Sequence, residues 1–288
     1  MAVLLDASAR VAVIGATGAY GRAQVQTMRQ SGTIVVASVS AGRGGEIIDD
    51  VPAFDTVAEA VAAAGADTAM VYTPAAGARD ALIECAEAGI RLAAVAAEFV
   101  PVHDTLEALA VAREHGMWVV GPNSLGMISP GAALLGSIAP GFARPGRIGV
   151  IGRSGTLTLT TTRILSQAGI GQSTAVHIGG DMMAGRNPHE WLQAFLADPA
   201  TDAVAYLGEI GGGKEYAMLD VIAAARKPVV ALVVGRHAPP GKRMGHAGAL
   251  IGADRETAAA KRAALAEAGA RVAESPMAVA TLVAELTR

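Results

Sequence analysis

The chain has 288 residues with a formal net charge of −3; 52% of them are hydrophobic, 17% charged and 3% aromatic. That length points to about two domains of ordinary size with a sizeable core, and the apolar share excludes a disordered chain. The charge offers no electrostatic case for nucleic acid or an anionic membrane, and the single Cys85 excludes internal disulfides and thiolate metal cages.

The mean hydropathy of +0.39 raises the question of a membrane span. The longest stretch free of Asp, Glu, Lys and Arg runs from His115 to Ala143. It is broken by Pro122, Pro130 and Pro140 and by Gly116, Gly121, Gly126, Gly131, Gly136 and Gly141, a density no lipid-facing helix tolerates. The opening MAVLLDASAR places an acid where a signal peptide needs positive charge. A soluble, cytoplasmic protein is expected, without a metal site of its own.

In chain order, strands are predicted over Val11–Gly15, Ile34–Ser38, Ala69–Tyr72, Leu92–Val95 and Trp118–Val120. Helical spacing lies between them over Gly21–Gln30, Ala78–Ala88 and Asp104–His115. Cys85 falls within the second helix and reads as packing. The second half repeats the alternation. Strands Ile148–Ile151, Ser173–His177, Ala203–Leu207 and Val229–Val234 are separated by helices over Thr156–Ala168, Pro188–Leu196, Glu215–Ala225 and Glu256–Ala268. A short strand near Arg271–Ala273 and a helix from Pro276 follow. Continuous apolar strands separated by helices indicate an α/β protein with parallel sheets covered on both faces. The stretch Gly121–Gly146 is too long for a simple connection and is expected to be an interdomain or functional loop.

The first strand runs into Gly15-Ala16-Thr17-Gly18-Ala19-Tyr20-Gly21. Glycines between a strand and a helix let the backbone approach a phosphate, whose charge meets the helix N-terminus. The second strand ends without the acid that would hold an NAD ribose. It carries Arg43 instead, which suits a phosphate monoester such as that of NADP or of coenzyme A. Neither Tyr20 nor Tyr72 has a lysine at helical spacing, which tells against a reductase.

In the second half, Gly152-Arg153-Ser154-Gly155-Thr156 opens a helix. Ser154 and Thr156 are good N-cap types, and the free N–H groups there favour an anion. The pattern departs from the nucleophilic Gly-x-Ser-x-Gly elbow at its last position. Glu209 ends a strand amid glycines, where parallel sheets bind ligands. His246, flanked by Gly245 and Ala247-Gly248, lies on a loop and not on an apolar helical stripe. Gly235 to Lys242 imitates a Walker loop with the wrong spacing, so no P-loop is expected. Together these residues suggest phosphate chemistry. An imidazole with a pKa near ~6.5 can attack phosphorus at neutral pH, and a carboxylate on its other nitrogen fixes the tautomer.

Five motifs in order carry a resemblance over nearly the whole chain: GRSGTLT (Gly152–Thr158), GIGQST (Gly169–Thr174), IGGD (Ile178–Asp181), GEIGG (Gly208–Gly212) and GKRMGHAGA (Gly241–Ala249). GPNSLGMISPG, from Gly121, supports them. The chain resembles the α subunits of succinyl-CoA synthetase, the ADP/GDP-forming acyl-CoA ligases. The resemblance implies a Rossmann-like CoA-binding domain over 1–145 and a flavodoxin-like, parallel-sheet ligase domain over 146–288. It implies a phosphohistidine at His246 supported by Glu209, and phosphate binding at Ser154, Gly155 and Thr156. CoA contacts fall on Thr17, Gly18, Ala19, Tyr20, Arg43, Ala96, Ala97 and Glu98, and the acid pocket on Asn123, Ser124 and Leu159. ATP or GTP with Mg²⁺ would bind an ATP-grasp β subunit in a hetero-oligomer. Where the family commonly has Cys and Tyr, this chain has Ser124 and Leu159, and Leu125 follows. A carboxylate other than succinate is therefore expected. A CoA-binding regulatory module and an acyl-phosphate ligase with a non-CoA acceptor are the alternatives.

Overall fold

In the computed structural model, which describes residues 3–287, the apolar run after Ala9 forms β1 (Arg10–Ile14). It belongs to a first unit made of Leu4–Ile138 and Met183–Gly185. The unit continues with α1 (Ala19–Gln30), β2 (Ile34–Val39), β3 (Ile47–Ile48), β4 (Val51–Phe54), α2 (Val57–Ala64), β5 (Thr68–Val71) and α3 (Ala75–Glu87). Then come β6 (Leu92–Val95), α4 (Val102–Glu114), β7 (Trp118–Val120), β8 (Gly126–Ser129) and β9 (Ala133–Gly136). The sheet order is β3-β4-β2-β1-β5-β6-β7. From β4 to β7 all its neighbours are parallel, and only β3 runs antiparallel. This is the doubly wound Rossmann order, whose direction reverses between β1 and β5. Buried small residues such as Ala12, Val71, Ala81, Cys85, Val95 and Ala108 fill the space between sheet and helices. Burial pushes the Cys85 thiol up, which makes it inert packing.

The second unit takes Ala139–Met182 and the chain from Arg186 onward, together with Val3. Its elements are β10 (Pro145–Gly152), α5 (Gly155–Gln167), β11 (Gln172–His177), α6 (Pro188–Ala197), β12 (Ala203–Glu209) and α7 (Leu219–Ala223). They continue with β13 (Val229–Val234), α8 (Ala258–Glu267), β14 (Arg271–Val272) and α9 (Pro276–Leu286). Its parallel strands are ordered β14-β13-β12-β10-β11, the flavodoxin-like order with its reversal between β10 and β12. The scarce aromatics are divided evenly between the units, but the largest buried ones are here. Trp191, Tyr206 and Phe195 are fully buried, and the Phe195 ring lies over Gly149, where a side chain would collide with it.

The predicted strands and helices form within a few residues of their expected ends, with three differences. Residues 47–64 hold β3, β4 and α2, for which no element was expected. α2 is short and rich in alanine, so its start depends on a reciprocal cap: Glu59 N–H donates to Thr56 Oγ1 (3.2 Å), and the Glu59 carboxylate accepts from Thr56 N–H (3.4 Å). The stretch after Gly121 is not simply a loop, because β8 and β9 form an antiparallel hairpin within it. Its glycines are what permit the pairing: a Cβ at Gly126 would run into the Leu135 carbonyl. The hairpin is pinned by Thr33, whose hydroxyl donates to Leu134 O (2.7 Å) and accepts from Leu134 N–H (2.8 Å). Finally, Glu215–Ala225 is a 3-10 turn leading into the short α7 instead of one helix. Glu215, just ahead of the turn, has its side chain drawn into the core.

Candidate functional site

Two strand-to-helix turns lie at the two reversal points. At the first, Gly15 takes a φ of +76°, and a side chain there would meet Thr73 at 2.9 Å. Gly21 packs against Ala16, whose Cα would be 2.7 Å from an added Cβ. Gly18 is the N-cap of α1 and offers no side-chain acceptor to the first helical N–H groups. Open space surrounds it, with nothing within 4 Å of a would-be Cβ. Backbone donors, the helix N-terminus and a gap above Gly18 make a cradle fit for a phosphate-bearing ligand such as CoA.

Thr17, Gly18, Ala19 and Tyr20 all belong to this turn. Tyr20 is 62% exposed; its hydroxyl and that of Tyr72 both reach Ser137 Oγ, at 3.1 and 3.3 Å. The two rings meet edge-to-face at 6.0 Å, and burial pushes the Tyr72 hydroxyl up to about 12. Arg43 is half-buried and engaged with Glu46 at 2.5 Å, so it must leave that carboxylate to meet a phosphate. Ala96, Ala97 and Glu98 follow β6 at the same sheet edge; Ala97 O accepts from Asn123 N–H at 2.8 Å. Ser124 is buried, and its hydroxyl accepts from Gly126 N–H at 2.8 Å. Asn123 and Ser124 belong to the first unit, whereas Leu159, half-buried on α5, belongs to the second.

The second turn is built differently. Ser154 caps α5, its hydroxyl accepting from Leu157 N–H at 3.4 Å. Gly155 and Thr156, at the helix start, have no carbonyl one turn back within the helix. Across the reversal point, His246 Nδ1 lies 2.7 Å from Glu209 Oε2. An ionised carboxylate only accepts, so Nδ1 carries the proton and the Nε2 lone pair is free. The hydrogen bond to Glu209 raises His246 above its ordinary value. Burial alone would raise the Glu209 carboxyl, but the bond from His246 and the charges of Arg153 and Lys261 outweigh it and hold the group below its usual range. The backbone makes room for this pair. Gly180 faces the imidazole, with an added Cβ 3.1 Å from Cγ, and at Gly211 a side chain would strike Gly248 O.

Beneath Glu209 is a layer of buried charge. Arg153 Nη2 is 3.3 Å from Glu209 Oε1, and Nη1 is 3.6 Å from Glu215 Oε1. Lys261 Nζ pairs with Glu215 Oε2 at 2.6 Å and donates to the carbonyls of Glu209 (2.9 Å) and Gly211 (2.6 Å). The Tyr206 hydroxyl donates to Glu215 Oε1 at 2.8 Å. No charged side chain of this quartet is more than 6% exposed, so each charge needs its partner. His177, also buried, donates from Nε2 to Arg153 O at 3.1 Å, and burial pulls it down to about 4. It is therefore neutral at physiological pH. An open cleft of about 360 Å³, lined by residues that include Ile210, Val234, His237 and Met244, adjoins Glu209.

None of Arg153, Glu215, Lys261, Tyr206 and His177 was expected at the site. One of them does leave a trace: Lys261 shares the buried face of α8 with Ala258 and Leu265, so a charge interrupts an otherwise apolar stripe. The others look like ordinary strand ends and loop residues.

Comparison with known proteins gives a family for each half of the chain. The CoA binding domain family matches residues 6–99, and the CoA-ligase family matches residues 151–271. Succinate–CoA ligase [ADP-forming] subunit alpha 2 of Archaeoglobus fulgidus is 44% identical over 286 residues, covering 99% of this chain and 100% of that one. The corresponding alpha subunit of Aquifex aeolicus is 40% identical over 291 residues, covering 100% of this chain and 95% of its own. Among solved structures, ATP citrate lyase from Methanothrix soehngenii, in complex with citrate and coenzyme A, superposes with a TM-score of 0.90 at 28% identity. The match covers 99% of this chain and 51% of that one, so the chain spans about half the lyase's length. Among the described residues no helix is long and apolar enough to cross a membrane.

Proposed function

The chain belongs to the α-subunit family of the succinate–CoA ligases, and on that premise we propose that it joins a carboxylate to CoA through an acyl phosphate, with His246 carrying the phosphoryl group. The observation that carries this reading is the His246–Glu209 contact of 2.7 Å on a buried charged floor, with Nε2 left free. When Nε2 attacks phosphorus, its lone pair forms the N–P bond while the bond from phosphorus to the leaving oxygen breaks. The positive charge that develops on the ring is met by Glu209, which keeps the Nδ1 proton in place.

In the thioester direction a carboxylate oxygen takes the phosphoryl group from Nε2, and the imidazole recovers its lone pair. The CoA sulfur then attacks the acyl carbon. The carbon–oxygen bond to phosphate breaks, and the thiol proton leaves with phosphate or solvent. The Gly15–Gly21 cradle, with Thr17, Ala19, Tyr20 and the segment Ala96–Glu98, would hold CoA. Arg43 would take its phosphate after releasing Glu46. The N–H groups at Ser154–Thr156 would hold the phosphate that is transferred.

The chain has no P-loop. We therefore assign ATP or GTP with Mg²⁺ to an ATP-grasp β subunit, which recharges His246 within an αβ assembly. Asn123, Ser124 and Leu159 would contact the acid. Leu159, where the family commonly has Tyr, would give the acid an apolar neighbour, which favours a carboxylate other than succinate. The test uses the chain with its cognate β subunit, Mg²⁺ and γ-labelled ATP. The parent chain takes up label and His246→Ala takes up none; label on His246→Ala at the parent level would sink the carrier role. In the same assembly, fastest thioester formation from succinate among a panel of acids would sink the apolar-pocket assignment.

A further inference from the structure

Lys214 makes no direct contact with a carboxylate among the described residues. It follows Gly211–Gly213 at the edge where Glu209 ends β12. Its ammonium donates one long hydrogen bond, 3.4 Å to Asp181 O. Among the described residues it forms no ion pair, whereas Arg153 and Lys261 both do. Asp181 directly follows Gly180, the residue whose missing side chain leaves room for the His246 ring. One turn of chain thus holds the imidazole at one residue and the ammonium at the next.

The charges that act on Lys214 are those of Arg153 after β10, Asp181 after β11, Glu209 at the end of β12, and the adjacent Glu215. Three of these, Arg153, Asp181 and Glu209, also act on His246. The two acids nearest Arg153 are already committed to it. Burial and then Arg153 pull Lys214 down to about 8, so it is still mostly a cation at neutral pH. A cation held among such charges without a direct ion pair can still receive an anion.

We propose that Lys214 supplies the counter-charge for the phosphoryl group on His246, donating hydrogen bonds to its non-bridging oxygens. This rests on the reading of His246 as the phosphoryl carrier. No bond is made or broken at Lys214: it binds inorganic phosphate before transfer and the phosphorylated ring after it. Its share of the binding is present while it is protonated and is lost as pH rises through about 8.

The test uses the full chain and two small probes, inorganic phosphate for binding and potassium phosphoramidate for direct phosphorylation of histidine. Lys214→Met is expected to weaken phosphate binding and slow labelling by about tenfold or more, the loss of one charge-assisted contact. Lys214→Arg should stay within about threefold of the parent. The parent should lose phosphate affinity between about pH 7.5 and 9.5, and Lys214→Arg should not, because the guanidinium stays charged. Parent-like binding and labelling by Lys214→Met would overturn the proposal, as would identical pH profiles for the parent and Lys214→Arg. If His246→Ala is labelled as well as the parent, the carrier reading fails instead, and phosphate affinity alone decides for or against Lys214 as the anion's ligand.

Discussion

The two glycine turns use one backbone device and differ in what lies beneath it. Each ends a parallel strand at a reversal point of its sheet and opens a helix. Under the first are Ala16, Thr73 and the Val39 carbonyl, which accepts from Gly15 N–H at 3.0 Å. Under the second are Arg153, Glu209, Glu215 and Lys261. The first turn offers backbone donors, and the tyrosines beside it, Tyr20 and Tyr72, are turned to Ser137. The second also holds an imidazole in one tautomer. Helix N-termini are enough to bind; transferring a group needs charges fixed in a dry place.

Removing the floor of the second turn should have the largest effect. Lys261→Met leaves Glu215 buried beside one cation fewer and two carbonyls without a donor. A loss of about 3–5 kcal/mol is expected in urea unfolding, the usual cost of breaking a buried pair. A loss below about 1 kcal/mol would mean that the layer is solvated and no different in kind from the first turn.

His177 tests the same floor through pH. Folded, it titrates at about 4; unfolded, near ~6.5. As pH falls below that upper value the unfolded chain binds the proton first. Stability present above it is then lost progressively down to the folded value, by about 3 kcal/mol in all. His177→Gln should flatten this acid limb, and an unchanged limb would show that His177 is not held neutral. His246 acts in the opposite sense. Its raised value adds stability below its unfolded pKa, and that is lost as pH rises through the folded value. This contribution is smaller because the ring is 29% exposed.

The smallest effect belongs to the first turn and is purely steric. Gly21→Ala should cost about 1–3 kcal/mol through overpacking against Ala16 and weaken CoA binding. Gly18→Ala, with open space around it, should leave thermal stability nearly unchanged. Equal losses from the two would mean that the turn is limited by backbone freedom and not by contact.

Much of this was legible in the residues. Apolar runs alternating with helical spacing placed most strands and helices, because a strand buried on both faces has no polar residues to hide. The glycine turns and the Glu209 and His246 loops could be read because tight turns leave few alternatives to glycine. The segment over 47–64 could not. α2 is an alanine-rich helix of eight residues that a capping box and packing on the sheet make stable. The β8–β9 hairpin was hidden for a related reason: glycines that usually signal a loop here let two strands approach.

By itself, then, the sequence determined the α/β class, the two glycine-rich strand-to-helix turns and the histidine and glutamate that meet at the second one. Periodicity and glycine spacing are local properties, and local residues are enough to reveal them. Only the tertiary structure decided that Arg153, Glu215 and Lys261, up to 108 positions apart in sequence, meet under Glu209, and that Lys214 forms no ion pair among the described residues. Charge pairing in a core depends on which strands become neighbours. The order β13-β12-β10-β11 is set by packing the whole unit, and no segment carries it alone.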